Sequence, residues 1–261
     1  MNRYDIKDSV ILITGAAGQL GQATINAAIA SGAKLVCLDL CLDTLTEVSQ
    51  KNGWGDNVLL CSADITNERD VKRALNFGLE RFEVIDALIN NAGVSVFSPW
   101  QERTGKDFDW VTNVNLKGTF LCMKEYLKCL IKTNHRGSIV NVASFYGVVS
   151  PDPRIYTDCN RRNSEVYGAT KAGVIQMTKY FAVNGVLDGA NVRVNAIAPG
   201  GIRNSLEPQG DDFQKLYADR CPLNRMAEME EMVGPMLFLI SSDASYINGQ
   251  TIVVDGGMTA W

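Results

Sequence analysis

The chain has 261 residues, 46% of them hydrophobic and 21% charged, with a formal net charge of −4. That balance belongs to a folded globular protein and excludes disordered, collagenous and coiled-coil chains. No basic tract exceeds the pair Arg161–Arg162, so no nucleic-acid partner is expected, and the apolar run at residues 10–13 is far short of the roughly 18 residues a membrane span needs.

Residues 1–8 mix charges and lack the apolar stretch of a signal peptide, which predicts a cytoplasmic protein with no membrane contact. The seven cysteines include no Cys-x-x-Cys and are expected to be reduced and buried. The single histidine, His135, stands in a turn-like stretch as a surface residue, so neither a metal site nor a Ser-His-Asp triad is expected.

In chain order, apolar runs predict strands at residues 10–14, 34–39, 57–62, 87–90, 138–142, 193–197 and 251–255. Most are almost continuously apolar, as strands covered on both faces of a parallel sheet are. Helical spacing appears at residues 20–31, 68–82, 107–132, 164–186 and 227–239. The methionines Met226, Met229, Met232 and Met236 follow that spacing and read as packing residues. The alternation predicts one α/β domain over residues 1–261. Its core is a doubly wound Rossmann-type sheet of about seven parallel strands with helices on both faces. Residues 150–163 and 200–212 read as irregular loops at the sheet edge where such folds bind ligands.

The first strand runs directly into Thr14-Gly15-Ala16-Ala17-Gly18-Gln19-Leu20-Gly21. Gly15, Gly18 and Gly21 permit a tight turn against a pyrophosphate, which the N–H groups and dipole of the following helix attract. Asp39 ends the second strand about 20 residues later, where a carboxylate accepts from ribose hydroxyls and repels a 2′-phosphate. This points to NAD as the cofactor; an aspartate that merely caps a strand end is the plainer alternative. Tyr167 and Lys171 stand one helical turn apart, so both side chains share a face. A phenol titrates near 10, and a neighbouring ammonium lowers that value, making the pair a proton donor and acceptor. Ser144 and Asn90-Asn91-Ala92-Gly93 follow strands at the same edge.

Together these residues resemble the short-chain dehydrogenase/reductase family, with Asn115, Pro199-Gly200 and residues 248–257 completing the series in the family's order. The resemblance implies that Tyr167 is the general acid/base on the substrate oxygen. It further implies that Lys171 holds the nicotinamide ribose and tunes Tyr167, that Ser144 polarises the oxygen, and that Asn115, rather than Asn113, holds a water. Gly15, Gly18, Gln19, Leu20 and Gly21 would cradle the phosphates. Asp64 and Ile65 would meet adenine. Asn91, Ala92 and Gly93 would line the ribose. Pro199, Gly200, Ile202 and Asn204 would meet the carboxamide side.

Three departures stand out. Gln19 replaces a usual glycine, Ser144 and Tyr167 are farther apart than is common, and Asn204 replaces a usual threonine. The extra segment, residues 150–163, is expected at the active-site mouth, with residues 200–217 as a substrate lid. Its Tyr156 and Arg154 would join Ser144 and Tyr167 in binding a polar, hydroxyl-rich or phosphorylated small molecule such as a sugar or nucleotide sugar, and the loop's Arg161 and Arg162 belong to the same polar set. The implied reaction interconverts a secondary alcohol and a ketone. A sugar-nucleotide epimerase or dehydratase with retained NAD, and a catalytically silent dinucleotide-binding protein, are the alternatives. A homodimer or homotetramer is expected, through residues 107–132 and 164–186, with Trp261 joining the interface.

Overall fold

The computed structural model describes residues 4–157, 160–204 and 209–261. Seven strands, β1 (Val10–Thr14), β2 (Lys34–Asp39), β3 (Val58–Ser62), β4 (Ala87–Asn90), β5 (Gly137–Val142), β6 (Val192–Pro199) and β7 (Thr251–Val254), form one sheet in the order 3-2-1-4-5-6-7. Every neighbouring pair is parallel, as the expected doubly wound fold requires.

Alternate residues along the strands feed two cores. On one face Leu12, Val36, Leu88, Ile139 and Val194 pack with α3 (Glu68–Phe82) and α5 (Thr119–Thr133), through Val71, Leu75, Tyr126 and Leu130. On the other, Ile11, Leu35, Ile89, Val140 and Ile197 pack with α1 (Gln19–Ala30) and α8 (Glu230–Ile240), through Ile25, Ala28, Met236 and Leu237. Met236 is buried there as a packing residue, and Met232 is buried as well.

Two helices were not expected: α2 (Leu42–Asn52) and α7 (Asp211–Arg220). Each is polar, burying only Leu45 and Ser49 in α2 and only Tyr217 in α7, so neither carries an apolar stripe. The single helix expected over residues 107–132 is instead α4 (Gly105–Thr112), a π-helical turn at Asn113–Gly118, and α5. The last long helix before β6 is α6 (Glu165–Leu187).

The expectation of uniformly buried thiols is corrected: Cys41, in the turn before α2, is exposed, and Cys129, within α5, is half-buried. Cys159 lies outside the described residues. His135 is half-exposed, and its Nε2 lies 2.8 Å from the Asp86 carboxylate. Among the described residues no helix is long and apolar enough to cross a membrane.

A buried polar strut ties the centre of the sheet to α6. Asn141 is wholly inaccessible; it accepts from Asn90 Nδ2 at 2.8 Å and donates to Thr178 Oγ1 at 2.9 Å. Removing it leaves partners buried without a bond. Asn141→Ala is expected to lower unfolding stability by about 2 kcal/mol. Urea denaturation should show a lower midpoint with an unchanged slope.

Candidate active site

The glycine turn lies at the carboxyl edge of the sheet. Gly15 has φ +65°, and a Cβ there would stand 2.8 Å from the Ala92 Cα, so only glycine brings this turn against the segment after β4. Thr14 Oγ1 accepts from the N–H groups of Asn91 (3.1 Å) and Ala92 (3.0 Å), and Asn91 Nδ2 donates to the carbonyls of Thr14 and Gly15, both at 3.0 Å. The two loops are thereby fixed to each other. No side chain caps α1 at Gly18, so its first-turn N–H groups have no such partner.

Asp39 turns back onto the same turn, its carboxylate accepting from Ala17 N at 2.9 Å and Leu40 N at 2.8 Å. Each oxygen keeps further acceptor capacity. Gly15, Gly18, Gln19, Leu20, Asp39, Asp64, Ile65, Asn91, Ala92 and Gly93 line one cavity of about 540 Å³.

A second cavity, of about 490 Å³, holds Ser144, Tyr156, Tyr167, Lys171, Pro199, Gly200 and Ile202. The two share Leu20, Asn91, Gly93 and Val94, making one trough from Asp39 to Tyr167. The start of α6 sets Tyr167: Ser164 Oγ accepts from Tyr167 N at 3.2 Å. Arg103 braces the same turn, pairing with Glu165 and donating to the Arg162 carbonyl at 3.1 Å. The turn after β5 meets α6 backbone to backbone, since a Cβ at Gly147 would lie 2.8 Å from the Lys171 carbonyl carbon.

Lys171 is buried, its Nζ donating to the Val142 carbonyl at 2.7 Å and lying 5.6 Å from the Tyr167 ring centroid. Burial pushes its amine down to about 8. Burial also raises the Tyr167 phenol above its usual value, while the Ser144 hydroxyl pulls it back. The expectation of a phenol lowered outright is corrected: desolvation of the phenolate outweighs its neighbours in the protein alone.

Asn115 sits in the π-helical turn, wholly buried. Its Oδ1 accepts from Val94 N (2.8 Å), and its Nδ2 donates to Val94 O (2.9 Å) and Thr170 Oγ1 (3.2 Å). Asn113 is exposed, which separates the two asparagines. A π-turn inserts one residue into the helical register and is frequent at functional sites.

The two unusual residues meet: Gln19 Nε2 donates to Asn204 Oδ1 at 2.7 Å, joining the glycine turn to the segment after β6. That segment is held further by Gln209, which accepts from Asn204 N (3.1 Å) and donates to Ile202 O (3.0 Å). Residues 205–208 of the expected lid lie outside the described residues.

Arg154 is not brought into the cleft. It forks onto Asp152, at 2.8 Å for its shortest contact, and is largely exposed, because that carboxylate stands two residues away. Arg161, one of the loop's arginines, lines the cleft, as do Phe97, Tyr146, Phe213 and Gln209, which the sequence did not single out. No motif spacing marks these residues; only the fold gathers them. Among the described residues no cluster of three His, Cys, Asp or Glu is arranged to hold a metal.

Residues 15–259 match a family model described as Enoyl-(Acyl carrier protein) reductase. The chain is 35% identical to a 3-oxoacyl-(acyl-carrier-protein) reductase of Thermotoga maritima, covering 97% of this chain and 98% of the relative. It is 32% identical to a 7alpha-hydroxysteroid dehydrogenase of Bacteroides fragilis, covering 99% and 96%. A short-chain dehydrogenase of Leptospira borgpetersenii, solved with bound NAD+, superposes with a TM-score of 0.87 at 37% identity, covering 97% and 94%.

The depressed Lys171 amine has a consequence for stability. An unfolded chain keeps that proton up to the usual 10.5, whereas the folded protein releases it near 8. Between those values the unfolded state binds more protons, so this group stabilises the fold as pH rises. Cys61, held at about 11 rather than 9.0, acts in the opposite sense above the ordinary thiol range. In a comparison with Lys171→Met, which lacks only the Lys171 contribution, the Tm of the cofactor-free wild type should gain on the variant as pH goes from about 7 to about 9.5. A pH-independent difference contradicts the buried-amine assignment.

Proposed function

The chain belongs to the short-chain dehydrogenase/reductase family, and on that footing we propose that it is an NAD(H)-dependent oxidoreductase interconverting a secondary alcohol and a ketone. One observation carries the reading: a single trough joins the Asp39 carboxylate at one end to Tyr167, Ser144 and Lys171 at the other. The printed activities of relatives, an oxoacyl reductase and a hydroxysteroid dehydrogenase, fall in the same alcohol–ketone class.

Asp39 and the glycine turn would hold the adenosine and pyrophosphate of NAD, with Asp64 and Ile65 beside the adenine. Two features favour NAD over NADP. Asp39 would repel a 2′-phosphate, and among the described residues no Lys or Arg lines the adenosine half of the trough. When bound, the nicotinamide supplies the hydride acceptor or donor.

The chain's own groups supply the proton. In alcohol oxidation, Tyr167 takes the hydroxyl proton as hydride leaves the same carbon; in ketone reduction it returns that proton to the oxygen. Ser144 donates to the substrate oxygen and holds it against Tyr167. Lys171, charged below about 8, places a positive charge one helical turn from the phenol and favours its ionised form. Asn115 clamps Val94 and Thr170 around that lysine. Gln19 and Asn204 would close the segment after β6 over the cofactor. Exposed Phe108, Trp110, Phe120, Tyr180, Val183 and Leu187 on α4, α5 and α6 support assembly as a homodimer or homotetramer.

A panel of secondary alcohols should reduce NAD+ in preference to NADP+, read by reduced-nicotinamide absorbance. Tyr167→Phe should lower kcat by roughly 10²- to 10⁴-fold while NAD+ still binds. Unchanged turnover in that variant on every accepted alcohol contradicts the assigned proton transfer.

A further inference from the structure

The substrate half of the trough has walls that proton and hydride transfer alone do not require. Phe97, Phe145, Tyr146, Tyr156, Phe213 and Tyr217 face it. The hydroxyls of Tyr146 and Tyr156 lie 3.4 Å apart, each the other's partner, and Tyr217 Oη accepts from Gly201 N at 2.6 Å. These rings therefore offer flat apolar faces and few unengaged polar atoms. A polyol needs a partner at every buried hydroxyl, and an unpartnered one is costly. A ring or hydrocarbon body needs none.

The charge at the mouth is one-sided. Arg161 stands over Phe97, its guanidinium carbon 4.0 Å from the ring centroid. A cation–π contact of this kind supports the guanidinium and leaves N–H groups available to a ligand. Neighbouring arginines have carboxylate partners: Arg154 and Arg220 share Asp152, and Arg103 pairs with Glu165. Arg161 has no carboxylate within ion-pair distance among the described residues. No described Asp or Glu lines this cavity. Asn163, beside it, accepts through Oδ1 from Ser95 Oγ (3.2 Å) and Ser164 N (3.0 Å), which leaves its amide N–H groups as its donor end.

We propose that the substrate is an alcohol or ketone on a ring-bearing or apolar body that also carries an anionic group, a carboxylate or a phosphate, held by Arg161. The inference rests on the oxidoreductase reading and supplies its substrate class. It replaces the sugar-derived substrate expected from the loop's composition: Arg154 is held by Asp152 outside the cleft, and among the described loop residues that line the cleft Arg161 is the one cation. The anion is a spectator in the reaction. The carbinol hydrogen leaves as hydride to nicotinamide, and the hydroxyl proton goes to Tyr167.

The test measures NAD+-dependent oxidation of mandelate, 3-hydroxy-3-phenylpropanoate and 4-hydroxy-4-phenylbutanoate, each against its methyl ester, with 2-hydroxy-2-phenylethyl phosphate and the neutral 1-phenylethanol alongside. The wild type should favour at least one anion over its neutral counterpart by roughly 10- to 100-fold in kcat/KM, the range of a charged hydrogen bond. The preference should reside in KM and shrink with added salt. Arg161→Gln should bring the acid-to-ester ratio close to one with Tm unchanged, and Arg161→Lys should restore part of it. Preference for the phosphate over every carboxylate identifies a phosphate ester as the source of the anion; the reverse identifies an acid. Equal turnover of acids and esters by the wild type overturns the inference, as does a ratio that survives Arg161→Gln. Turnover of 1-phenylethanol alone, lost in Tyr167→Phe, overturns the anion inference and leaves the oxidoreductase reading standing. No turnover of any alcohol overturns both.

Discussion

A buried amine on a strand-end carbonyl is the constraint around which the site is arranged. Lys171 donates to Val142 at 2.7 Å where β5 leaves the sheet. An amine taken out of water is unfavourable unless bonded, and its charge is disfavoured further. The fold meets that cost by over-determining the position. The turn after β5 touches α6 through backbone at Gly147, and Asn115 joins Val94 to Thr170. Ser164 caps α6 and Arg103 braces its first turn. Tyr167, one turn before the lysine, inherits this rigidity. A proton-transfer group, the role we propose for Tyr167, must hold its place to within fractions of an ångström, and the packing of two elements fixes this residue.

The same sheet edge joins recognition to chemistry. Parallel strands deliver all their carboxyl ends to one side, so the loop after β1, Asp39 at the end of β2, Asn91 after β4, Ser144 after β5 and Pro199-Gly200 at the end of β6 converge although they are far apart in sequence. Thr14 and Asn91 pin the two central loops together. The result is two adjoining cavities that share Leu20, Asn91, Gly93 and Val94, one with Asp39 at its far end and the other with Arg161 and aromatic walls.

Where the sequence was informative, it was so because a local pattern carried its own physics. The apolar strands and the glycines after Thr14 could be placed from pattern and spacing, whereas Tyr167 with Lys171 one turn on took its weight from the motifs around it. Helices α2 and α7 were invisible because they bury almost nothing and so carry no stripe. The substrate half was misread for a related reason. Arg154 and Arg161 look alike in sequence, yet Asp152 pairs with the first while Phe97 supports the second. The Tyr167 phenol was misjudged too, because spacing reports the neighbouring ammonium and says nothing of desolvation. Gln19 and Asn204 each look like an isolated departure, and only the fold makes them partners.

A crystal structure of the protein with NAD+ is the most direct test of the single trough. It should show adenosine beside Asp39 and Ile65, pyrophosphate at the start of α1, and the nicotinamide ring in the cavity shared by Tyr167, Ser144 and Ile202. A dinucleotide seated elsewhere, or a ring with Tyr167 turned away from it, contradicts the arrangement.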